Sequence, residues 1–122
     1  MTHEHIKALD ELIAAVESGV VISMNARKVC HCLGWKFPDM RVKWLLSSEV
    51  GSLDAAKALH EALLPGWGYR VSPSYAIVIK PNISEKHLEF DAIINNNPAR
   101  AWLIAILKAY RAKMEIKPNQ NN

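Results

Sequence analysis

Cysteine is nearly missing from this chain. Only Cys30 and Cys32 occur, one residue apart, and a bridge between such close neighbours would close almost no loop. A disulfide-stapled secreted scaffold is thereby excluded, and a reducing cytoplasm is the expected location. Long apolar runs are missing too: no stretch approaches the ~18 residues that span a bilayer, so no membrane partner is expected. The opening Met1-Thr2-His3-Glu4-His5 lacks the basic region and apolar run of a secretory leader. In a cytoplasmic protein the Asn82-Ile83-Ser84 sequon has no role.

Catalytic signatures are equally scarce. There is no Gly-rich phosphate loop and no Gly-x-Ser-x-Gly elbow. Cys30-His31-Cys32 would need a second pair of ligands to hold zinc, and His3, His5, His60 and His87 do not supply a well-spaced one. His60, mid-helix beside Glu61, reads as a surface or boundary residue. Glu89 and Asp91 share one face of a strand, where paired carboxylates can do acid–base work, but the solvated side of an edge strand explains them as well. No catalytic residue, metal or cofactor is therefore expected.

What the chain does have is an ordinary globular composition: 122 residues, 50% hydrophobic and 22% charged, enough for one domain with its own core. The formal charge is +3 and the pI about 9.0. That balance permits an anionic partner without the concentrated basic stripe of a nucleic-acid binder.

Helical periodicity is clear over His5–Ser18, where Ile6, Leu9, Leu12, Ile13 and Val16 form one apolar stripe. Thr2 is placed to cap this helix and Gly19 to end it. Asn25–Leu33 reads as a short helix and Arg41–Leu46 as an element of open type. Ser52 caps a further helix reaching about Leu64, striped by Leu53, Ala56, Leu59 and Leu63 and stopped by Pro65-Gly66. Three strand signals follow: Trp67 to Val71, Tyr75 to Lys80, and His87 to Ala92. The second is apolar on both faces, which predicts a central strand covered on both sides. Short connections predict an antiparallel meander. Asn97 and Pro98 open the last helix, with Trp102, Leu103, Ile106, Ala109 and Tyr110 on one face and Arg100, Lys108 and Arg111 on another, solvated one. Ile104 lies within that basic face, a hint of contact with another copy or a partner. The tail from about residue 116 is polar. Leu12, Leu59, Ile77, Phe90, Trp102 and Ile106 are the expected core.

Residues 20–50 carry Arg27, Lys28, Lys36, Arg41 and Lys43 against Asp39 and Glu49, interleaved with Trp35 and Trp44. Cations beside tryptophans suit phosphate binding and base stacking, although a solvated loop with inward tryptophans has the same composition. Trp67 and Tyr69 read as core aromatics and Arg70 as a surface cation. The candidate ligand-binding set is Arg41, Arg70, Lys43, Lys36, Arg27, Trp35 and Trp44, with arginine favoured as the bidentate phosphate fork.

"GSLDAAKALHEALLPGW" (Gly51 to Trp67) and "NPARAWLIAILKAY" (Asn97 to Tyr110) resemble the two signature stretches of the phage ABA sandwich domain family, and "ALDELIAAVESG" (Ala8 to Gly19) is similar to its amphipathic opening. The resemblance spans most of the chain and implies a layered helix–sheet–helix fold from a bacteriophage or prophage gene, acting in the cytoplasm of the infected bacterial host. It implies no general activity and no catalytic residues. Residues 20–50 depart from the family pattern in being basic and cysteine-containing. The resulting expectation is an α+β fold, a small, about three-stranded antiparallel sheet packed between helices as an α/β/α sandwich. The expected role is that of a non-enzymatic phage accessory protein sequestering a small anionic ligand, such as a nucleotide signal of host defence. The alternatives are an interaction module that blocks a host protein or serves phage assembly, and a small nucleotide-acting hydrolase. Association into a homo-oligomer is expected in the first case.

Overall fold

A computed structural model describes residues 3–18, 31, 34, 43, 51–81, 88–94 and 96–116. The described elements are α1 (His3–Ser18), α2 (Leu53–Leu63), β1 (Gly68–Ser72), β2 (Tyr75–Lys80), β3 (Leu88–Ile93) and α3 (Pro98–Ile116). The fold is α+β, as the sequence pattern predicts. The strand signals form one antiparallel sheet in the order β1-β2-β3, and helices pack against it. Asn25–Leu33, Arg41–Leu46, Thr2, Gly19 and the polar tail lie outside the described residues, apart from His31 and Lys43.

Local chemistry sets the element ends. The Ser52 hydroxyl accepts the Ala55 N–H at 3.1 Å, and the Asn97 side-chain oxygen accepts the Arg100 N–H at 3.0 Å, so two orphan donors are satisfied at helix starts. After α2 the chain turns through Leu64-Pro65-Gly66-Trp67. Proline fixes the first corner, Gly66 takes the second at φ 87°, and the Trp67 N–H closes the turn on the Leu64 carbonyl at 3.1 Å. This is the pattern of a type II turn, whose second corner strains any residue with a side chain.

Among the described elements the layers run from the sheet to α3 and then to α1 and α2, both of which pack on α3. Covered from both sides, the middle of α3 is shut off from solvent: every residue from Ala101 to Leu107 is buried. Ile104 is therefore core, not the partner contact expected from its place among basic residues. Its basic neighbours are not merely solvated either. Arg100 donates to the Val16 carbonyl at 2.8 Å and the Glu17 carbonyl at 3.0 Å, which tethers the C-terminal end of α1. Arg111 pairs with Asp10, and Lys108 with Glu17 at 3.6 Å.

Register decides which side of the sheet meets α3. Tyr69 pairs with Val78, and Val78 with Phe90; Val71 pairs with Ala76, and Ala76 with Ala92. Those residues face inward, with Ala76 and Val78 fully buried. Ile77 sits between Arg70 and Asp91 on the opposite face and is half-buried, so it does not join Leu12, Leu59, Trp102 and Ile106 in the core. A strand apolar on both faces hides its own inward side, because period two marks a face only when the other face is polar. Leu53, expected on the buried stripe of α2, is 45% exposed at the helix start.

Candidate functional site

The densest chemistry lies where α2, β1 and α3 meet. His60 is 1% exposed, which corrects the surface or boundary position expected of it. Its Nε2 lies 2.9 Å from the Trp67 carbonyl, and the Trp102 indole N–H donates to Nδ1 at 3.2 Å. A carbonyl only accepts and an indole only donates, so the ring is neutral with its proton on Nε2. Burial holds its pKa below the ordinary value, outweighing the opposing pull of the Trp67 carbonyl and the Glu61 carboxylate. Tyr69 meets the His60 ring edge-on at 4.9 Å and lies 4.6 Å from the Trp102 ring. It stays 41% exposed despite these contacts. Both imidazole nitrogens are thus occupied by the protein itself, and His60 can serve neither as a general base nor as a metal ligand in this arrangement. The cluster is a polar clamp inside the core. Helical spacing could not reveal it, because His60 finds its partner 42 residues away.

Of the cations and tryptophans proposed to bind an anion, two lie among the described residues. Arg70 is exposed on the outer face of the sheet, as expected, and Lys43 is half-buried. Arg27, Trp35, Lys36, Arg41 and Trp44 lie outside the described residues, as do Cys30 and Cys32. Trp67, the other aromatic of the opening strand, is half-buried and packs 6.3 Å from Phe90.

The outer sheet face is the most distinctive described surface. Reading across the strands in register, its rows are Gly68–Ile79–Glu89, Arg70–Ile77–Asp91 and Ser72–Tyr75–Ile93. Tyr75 is 40% exposed and Ile93 73%, and the two are directly paired. Among the described residues of these rows the cation, Arg70, stands on β1 and the carboxylates, Glu89 and Asp91, on β3, with apolar side chains along β2 between them. Ile93 is the most exposed large apolar side chain among the described residues. The sequence signal for it was present, in the apolar odd positions of β2, where it reads as a second covered face.

A separate open cleft of about 480 Å³ lies at the hairpin end of the sheet, lined by Leu53, Val71, Ser72, Pro73, Asn96 and Pro98. The described residues that line it are apolar or neutral. Among the described residues no three His, Cys, Asp or Glu side chains gather closely enough to hold a metal ion, and no helix is long and apolar enough to cross a membrane.

Compared with known proteins, the chain matches no family model, no curated protein and no solved structure.

Proposed function

We propose that this chain is a non-enzymatic interaction module whose working surface is the outer face of its sheet. The observation that carries this reading is the exposed Tyr75–Ile93 pair, set beside charges segregated to opposite strands. Apolar side chains in the middle with charges at the margin is the layout of a protein contact. The hydrogen-bonded state of His60, with both ring nitrogens engaged, favours binding over catalysis. The resemblance to phage ABA sandwich proteins makes a role in phage assembly or in blocking a host factor part of the same proposal.

Capture of a small anionic ligand is the second reading. It rests on Arg70 and on the composition of residues 20–50. On the sheet Arg70 shares its face with Glu89 and Asp91, whose charge opposes an anion there, so the interaction reading comes first. The test compares the tagged protein with its Ile93→Asp variant in affinity purification, at matched thermal stability. The proposal expects proteins, untagged copies of this chain included, that the wild type retains and the variant loses. Identical retained sets would refute it.

A further inference from the structure

The charge pattern on the outer sheet face is self-complementary. Glu89 and Asp91 stand on one edge strand and Arg70 on the other, and Arg70 and Asp91 lie in the same register row, either side of Ile77. The side chains of β1 on this face alternate between small and large, Gly68, Arg70 and Ser72, while β3 presents Glu89, Asp91 and Ile93. If an identical sheet is laid face to face on this one, about a two-fold axis running along β2, then β1 of each copy covers β3 of the other. Arg70 then falls over Asp91 of the partner copy, twice. Ile77 meets its own equivalent at the axis. The exposed Ile93 projects over Ser72, and Glu89 over Gly68, where the opposing strand is low. A two-fold contact must be self-complementary in this way, and face-to-face sheets with nearly aligned strands are a standard packing. A two-fold axis across the strands would instead set Arg70 on Arg70.

We infer that the outer face of the sheet pairs with a second copy of this chain, through reciprocal Arg70–Asp91 contacts around a centre of Tyr75, Ile77 and Ile79, with Ile93 at its margin. This deepens the interaction reading and rests on it. The face is small: three strands about 4.8 Å apart and five to six residues long cover roughly 14 by 17 Å. The dimer therefore belongs to the weak class of interfaces, with dissociation in the micromolar range or above.

Sedimentation of the purified full chain, from about 1 μM to about 1 mM, tests it. The wild type is expected to pass from monomer to dimer over that range. Arg70→Asp and Asp91→Arg, each alone, place like charges opposite one another twice and should weaken the dimer at least tenfold. Mixing these two variants sets an all-acidic pair of positions on an all-basic one, so a heterodimer should form at wild-type strength. The double variant R70D/D91R should recover self-association to within about threefold. Circular dichroism melts identify any variant that fails to fold, and the mixing result then decides from the folded pair. A wild type that stays monomeric throughout, or a dimer indifferent to both reversals, overturns the inference. If the wild type is monomeric while affinity purification still shows a partner lost on Ile93→Asp, the second copy falls and the interaction surface stands.

Discussion

Trp102 donates its indole N–H to Nδ1 of His60 at 3.2 Å, and that bond joins the middle-layer helix to α2 from inside the core. His60 passes the connection on through Nε2 to the Trp67 carbonyl, at the mouth of β1. One imidazole therefore fixes the angle at which the sheet leaves the helix pair. Trp102→Phe keeps most of the ring volume but leaves Nδ1 buried without a donor. It should cost about 1–3 kcal/mol in urea denaturation. A loss below the error of the measurement would mean that water or another group replaces the indole.

The same histidine makes stability depend on pH. Burial lowers its pKa in the folded chain below 6.5, the value it regains on unfolding. Between those two values the unfolded chain binds more protons, so acid favours unfolding. The contribution is complete above pH 6.5 and is lost as pH falls through the window beneath it. Thermal midpoints between pH 7.5 and pH 5.5 should fall for the wild type and fall less for His60→Gln, which cannot titrate. Parallel profiles for the two proteins would remove His60 from the pH response.

Arg100 reaches across to the end of α1, where the carbonyls of Val16 and Glu17 accept its Nε and Nη2. Those carbonyls carry the negative end of the helix dipole and lack partners within the helix. Arg100→Ala should destabilise by about 1–2 kcal/mol, and Arg100→Lys should recover only part of this, since one ammonium cannot reproduce the fork. Full recovery by lysine would reduce the contact to charge alone.

The two faces of β2 give a direct test of register. Val78 is fully buried against the core, and Ile77 looks outward. Val78→Ala should cost about 2–3 kcal/mol, and Ile77→Ala less than about 1.5 kcal/mol. The reverse order would put the sheet on the helix by its other face.

How far the sequence disclosed this fold depends on the range of the interaction concerned. Ser52 and Asn97 bond to groups three residues away, and their helices begin where the caps predict. The stripe of α1 was legible because that helix is wet on one side: Leu9, Leu12, Ile13 and Val16 are all buried. In α3 the same reasoning misplaces Ile104, since the middle of a helix covered by a sheet on one side and two helices on the other is buried all round, whatever its basic residues at either end suggest. Arg100 and His60 were misread for a related reason, their partners being 84 and 42 residues distant. Of the anion-binding candidates, Arg70 lies where alternation along β1 places it. The pattern that sets it in a row with Ile77 and Asp91 exists only after three strands pair.

The outer sheet face carries the functional account, and a dilution series followed by amide resonances tests it residue by residue. Between about 1 mM and about 20 μM, shifts should concentrate at Arg70, Tyr75, Ile77, Asp91 and Ile93, while Leu59, His60 and Ile106 on the far side of the sheet stay still. Shifts centred on the Leu53–Pro73 cleft, or spectra unchanged at every concentration, would contradict it.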